Sequence, residues 1–97
     1  MNLDAIKLAK NEEASRFEMN VEGNLAFVIY TQLSPTEIEL FHTEVPVALE
    51  GKGVAATLAK NVLEYCKTHN LYVKATCPYI SHFIVRHPEW ESLREFR

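Results

Sequence analysis

The tripeptide Gly51-Lys52-Gly53 joins a strand-like stretch, VPVALE, to a helix-like one, VAATLAKNVLEYCK, and takes two of the three glycines in 97 residues. Glycine on the threshold of a helix has a chemical use. The first turn of a helix leaves backbone N–H groups without intrahelical partners, and these cradle phosphate. Residues without a Cβ let such a ligand approach the backbone closely, and Lys52 adds positive charge beside it. The plainer alternative is a tight turn into the helix. A P-loop is excluded, because no G-x-x-x-x-G-K-[ST] spacing occurs. The dinucleotide fingerprint G-x-G-x-x-G/A is formally matched by Gly51 to Ala56. Its context fails, since the following strand ends in Thr76-Cys77 with no acid for a ribose hydroxyl.

The second set of reactive types is Cys77, His42 and Glu44. Cys77 stands directly before Pro78, which suits the first turn of a helix. A helix N-terminus favours thiolate and would sharpen its nucleophilicity. The competing reading is a small buried apolar residue. His42 and Glu44 alternate on one strand and share a face unless a bulge intervenes, so either can take a proton from an incoming group. The competing reading there is a satisfied polar pair on a sheet face. Cys66 falls on the apolar face of the long helix and reads as core. Tyr79 and His82 are expected to line a cleft from the last helix. Arg86 reads as a solvated helix-end charge or a phosphate contact. Trp90 and Phe96 are expected to pin the tail. The two cysteines and four histidines show no metal-ligand spacing, so no metal site is expected.

These residues are positioned by an alternation of short elements. Ile6-Lys7-Leu8 is a weak strand, Arg16 to Val21 alternates polar and apolar, and Leu25 to Tyr30 is a continuous apolar run. Thr36 to Val45 makes a fourth strand, interrupted by Pro46. Short connections at Gly23-Asn24 and Ser34-Pro35 favour an antiparallel meander. A helix from about Gly53 to His69 carries Val54, Leu58, Val62 and Cys66 on one face, with Asn70 as its C-cap. Leu71 to Thr76 returns as a fifth strand, and a short helix runs from Pro78 to about Arg86. The fold class is α/β (α+β), one domain over residues 1–97. A hydrophobic share of 47%, a charged share of 24% and a net charge of -3 are those of an ordinary globular chain. They give no electrostatic case for nucleic acid or an anionic membrane. No apolar run is long enough to span a bilayer, and a reducing cytoplasmic setting is expected.

With these elements in this order, HTEVPVALEGKGVAATLAKNVLEYCKTHNL followed by CPYISHFIVRHPEW resembles the core of the GNAT acetyltransferase superfamily. The closer likeness is to its single-domain branch of about a hundred residues. The resemblance implies acetyl-CoA as cofactor, with its pyrophosphate on the backbone of Gly51, Lys52, Gly53, Val54 and Ala55. It implies that Val45 and Val47 present fourth-strand backbone to the pantetheine arm, with Tyr79 nearby. Cys77 would then lie beside the thioester, either accepting the acetyl group or protonating the departing thiolate. His42 or Glu44 would deprotonate the acceptor.

Two positions depart from the superfamily pattern. Ala48 stands where a Gln or Arg usually precedes the glycines. Phe83 and Ile84 stand where larger members carry a tyrosine that acts as general acid to the leaving thiolate. Against the superfamily pattern, the further C-terminal strands that commonly close the acceptor pocket are not expected here, so the resemblance implies an open acceptor side. The implied activity is acetyl transfer to an amine, on a protein or a polyamine. The alternatives are a non-catalytic CoA-binding or interaction module, and a carrier that acetylates itself on Cys77.

Overall fold

The computed structural model describes residues 2–94. A 3-10 turn at Leu3–Ala5 leads into β1 (Ala9–Asn11), β2 (Arg16–Val21), β3 (Asn24–Ser34) and β4 (Glu37–Glu44). A second 3-10 turn, Val47–Leu49, precedes α1 (Val54–Thr68). Then come β5 (Tyr72–Ala75), α2 (Pro78–Arg86) and a 3-10 segment, Pro88–Leu93. The strands lie in the order β1-β2-β3-β4-β5. The first three pairings are antiparallel and β4–β5 is parallel, as a strand-helix-strand crossover requires. No helix among the described residues is long and apolar enough to cross a membrane.

Alternation decides which face of the sheet is buried. Phe17, Met19, Val28, Ile38, Leu40 and Val73 point to one side and form one core with Leu58, Val62 and Leu63 of α1 and Ile80 and Ile84 of α2. All eleven have zero exposure, and each large apolar side chain so buried stabilises the fold by about 1.5–3 kcal/mol. The opposite side carries Arg16, Glu18, Phe27, Ile29, Glu39 and Lys74, which are half-buried or exposed. Among the described residues this is a two-layer arrangement with one uncovered sheet face.

α1 stops by a Schellman motif. Asn70 adopts φ 55, Leu71 N–H reaches back to Cys66 O at 2.8 Å, and Asn70 N–H to Lys67 O at 3.2 Å. The first strand lies later than Ile6 to Leu8, because Ile6 N–H is spent on Leu3 O in closing the 3-10 turn. Pairing begins only at Ala9, opposite Glu18. β3 runs on past Tyr30 to Ser34, where backbone pairing to β4 rather than burial holds it. Phe96 lies outside the described residues.

Candidate active site

β4 and β5 start together and then part. Their register runs from Glu37 opposite Tyr72 to Leu40 opposite Ala75. Beyond that point Thr76 and Cys77 both donate to one acceptor, Leu40 O, at 3.1 and 2.9 Å. Pro78 has no N–H to continue the ladder and a φ already suited to a helix, so the chain turns into α2. β4 continues through Phe41, His42, Thr43 and Glu44 beside β3 alone. A wedge opens between the end of β5 and the far half of β4.

A β-bulge sets what faces that wedge. Tyr30 pairs with Leu40 and Ile29 with His42, leaving Phe41 as the extra residue on β4. Without it, His42 and Glu44 would follow Ile38 and Leu40 into the core. With it, they turn to the uncovered face, where His42 Nε2 and Glu44 Oε1 meet at 2.9 Å, each about half exposed. Thr43 takes the inward position instead and lies 3.2 Å from Cys77 Sγ through its Oγ1. Cys77 itself is 2% exposed, at the N-cap of α2. The residue pair His42–Glu44 and the thiol of Cys77 therefore stand on opposite faces of one strand.

The opening of α1 forms the other half of the site. Gly51 and Gly53 have φ of +77° and +78°, in the left-handed region where a Cβ is strained. A Cβ built on Gly51 meets nothing within 4 Å, and one on Gly53 meets only Leu3 Cδ1 at 4.0 Å. The space above both is open. The first i→i−4 bond of the helix is Thr57 N–H to Gly53 O, 3.1 Å, so the amides of its opening turn precede the ladder. A cavity of about 230 Å³ lies here, lined by Val45, Gly51, Gly53, Val54, Ala55 and Tyr79, with Glu50 and Ala56 at its edges. Burial pushes the Tyr79 hydroxyl above its ordinary pKa, with Arg86 pulling the other way, so the phenol stays protonated at neutral pH.

Two of the residues expected to contact the cofactor do not line this cavity. Val47 is the first residue of the 3-10 turn and 81% exposed, and Lys52 does not line the cavity. Val45 lines it, but from the link after β4 rather than from the strand. Pro46 ends the ladder sooner than the apolar pattern suggests, so the β4 backbone beside the wedge is that of Phe41 to Glu44. Phe83 and Ile84 are buried in the core and Cys66 with them; burial pushes the Cys66 thiol up to about 12. Sequence reasoning missed Thr43, because its meeting with Cys77 exists only through the bulge.

A helix opening behind two left-handed glycines, beside two parallel strands that splay apart, defines an α/β protein of strand-helix-strand type. The model of the GCN5-related N-acetyl-transferase family matches residues 16–93, and the chain belongs to that family of acetyl-transferring enzymes. Among curated relatives, Protein NATD1 of Bos taurus is 31% identical over 85 residues, covering 86% of this chain and 75% of that protein. Protein NATD1 of Xenopus tropicalis is 28% identical, covering 87% and 79%. The solution structure of a GCN5-like protein from Staphylococcus aureus superposes with a TM-score of 0.69 at 25% identity, over 100% of this chain and 93% of that one. Ard1 from Thermoplasma volcanium shares the fold at a TM-score of 0.54, over 63% and 43%.

Proposed function

We propose that this chain is one acetyl-CoA-binding domain that transfers acetyl to an amine. The observation that carries the reading is the juxtaposition of the α1 cradle with the β4–β5 wedge in a member of this family. Acetyl-CoA supplies an acyl group activated as a thioester. The residues present fit it: open space over two glycines and the free amides of Val54 and Ala55 suit a pyrophosphate. The β4 backbone beyond Leu40, no longer paired with β5, suits the amide groups of a pantetheine arm.

The remaining roles fall to groups already placed. The His42–Glu44 pair takes the proton of the incoming amine from the uncovered face. The Cys77 thiol, held by Thr43, gives a proton to the departing sulfur from the other side of the strand. The division of these groups between two faces favours a direct transfer, with acceptor and leaving group on opposite sides. It also separates this reading from a Cys77 carrier, in which the buried thiol itself takes the acetyl group.

The uncovered face is acidic along β4, through Glu37, Glu39 and Glu44, with Glu18 of β2 paired to Arg16 at 2.7 Å. That charge suits a cationic amine on a protein or a polyamine rather than nucleic acid or an anionic membrane. Two free buried cysteines suit a reducing, cytoplasmic setting. Mass spectrometry with acetyl-CoA, native and then denaturing, tests the reading. A non-covalent complex that turns over with polyamines or lysine peptides is the expected result. An acetyl mass on Cys77 that survives denaturation makes the chain a carrier, and binding without turnover makes it a non-catalytic module.

A further inference from the structure

The uncovered face of the sheet meets the wedge at one carboxylate. Glu39 lies on that face and accepts a hydrogen bond from Thr76 Oγ1 at 2.7 Å. Thr76 is the first residue past the last β4–β5 pair, Leu40 with Ala75, and its own N–H bonds Leu40 O. The side-chain contact therefore bridges the two strands where they begin to part. It fixes one carboxylate oxygen at the mouth of the wedge, on the side assigned above to the incoming amine.

Two other acids of this face have basic partners. Glu18 takes Arg16 at 2.7 Å and the Asn11 amide at 3.1 Å, and Glu44 takes His42. Glu37 stands two residues earlier on β4, away from the wedge, and accepts from Ser34 Oγ at 3.2 Å. Glu39 is held by a neutral hydroxyl, so its charge is oriented without being neutralised. Lys74 stands opposite it in the β4–β5 register but forms no ion pair among the described residues. β3 sets the spacing along the face: Glu39 pairs with Thr31 and His42 with Ile29, two residues apart, which is about 7 Å of strand. Between them in the chain is Phe41, the bulged residue, 41% exposed.

A carboxylate, an exposed aromatic ring and a base in that order match an acceptor with two amines joined by a short alkyl chain. We propose that the acceptor is an alkyl diamine, with its distal ammonium on Glu39, its chain against Phe41 and its reacting amine at His42. The inference rests on the acetyl transfer proposed above and names the substrate class of that site. Glu39 is the anchor that selects a diamine over a monoamine, and Thr76 is a positioning residue that acts through it. In the transfer, the reacting nitrogen bonds the acetyl carbon as the carbon–sulfur bond breaks. Of the two protons that nitrogen gives up, one leaves through the His42–Glu44 pair and one, in net balance, ends on the sulfur of coenzyme A. The distal ammonium is unchanged.

The test follows thiol release from acetyl-CoA with putrescine, a four-carbon diamine, and with butylamine, which lacks the second amine. The wild type is expected to prefer putrescine in kcat/KM. Glu39→Gln is expected to cut that preference about fivefold, with the loss in KM, because an anchor remote from the reacting atoms is held alike in ground and transition states. Thr76→Val is expected to lower the preference in the same direction, and Thr76→Ser, which keeps the hydroxyl, to restore it. Lys74→Ala removes a competing cation and is expected to raise it. Lys74 and Thr76 are exposed and Glu39 is half-buried, so these variants leave the core intact. Equal turnover of the two amines, or a preference that survives Glu39→Gln, overturns the diamine assignment and leaves acetyl transfer standing. Turnover of a lysine peptide but of neither amine does the same. Failure to acetylate any of the three overturns the transfer reading, and this inference with it.

Discussion

Thr43 Oγ1 lies 3.2 Å from Cys77 Sγ, tying β4 to the first turn of α2 just past the point where β4 and β5 part. The contact closes the core side of the wedge with one hydroxyl and one thiol. It exists because a single extra residue, Phe41, turns Thr43 inward and sends its neighbours outward. Thr43 and Cys77 are thus held by each other at the inner wall of the wedge.

Removing the thiol tests its role directly. Cys77→Ala is expected to lower acetyl transfer on the order of 100-fold, the contribution typical of a positioned proton donor, with coenzyme A affinity unchanged. Thr43→Val keeps the shape and removes the hydroxyl, and a smaller loss is expected. Steady-state rates from thiol release, beside calorimetric affinities, make the comparison. Full activity in Cys77→Ala would take the thiol out of the mechanism.

The His42–Glu44 pair answers to a double-mutant cycle. Both side chains are about half exposed, so His42→Gln and Glu44→Gln are each expected to change stability by less than about 0.5 kcal/mol. Transfer is expected to fall in each, and the double variant to be little worse than the worse single one, because the two act as a unit. Fully additive losses would show that they act separately.

Gly53→Ala separates backbone conformation from crowding. The nearest atom to the new Cβ is 4.0 Å away, an ordinary contact, whereas φ of +78° is unfavourable for an L-residue. The expected cost is about 1–2 kcal/mol, read from denaturant unfolding. An undiminished stability would mean that the turn relaxes to another conformation, and coenzyme A affinity should then drop as the cradle changes shape.

Stability at alkaline pH should carry the signature of Cys66. Its thiol ordinarily titrates at 9.0 and is pushed by burial to about 12 in the fold. The folded state therefore holds the proton longer than the unfolded chain. The contribution is fully present below pH 9 and is lost as pH rises from there toward 12, at up to about 1.4 kcal/mol per pH unit. Unfolding of wild type and Cys66→Val, followed from pH 8 to the highest pH that both tolerate, isolates this slope. Parallel curves would remove Cys66 as its source.

The order of elements was legible because it rests on local rules. Alternation marked Arg16 to Val21, four-residue spacing marked α1, Pro78 marked the start of α2, and Asn70 marked the end of α1, where the left-handed conformation it favours is found. The glycines at 51 and 53 could be read for the same reason, since a left-handed backbone restricts residue type at that position alone.

What the chain's own pattern could not decide is which groups meet. Period-two alternation puts His42 and Glu44 on the side of Ile38 and Leu40; the bulge at Phe41 reverses this, and it is a property of the pairing with β3 rather than of β4. The wedge likewise depends on β5 ending at Ala75 while its partner runs on to Glu44. The meeting of Thr43 with Cys77 joins segments far apart in sequence. Local propensity carries no information about such pairs, because only the packing of α1 and α2 on one face of the sheet brings them together.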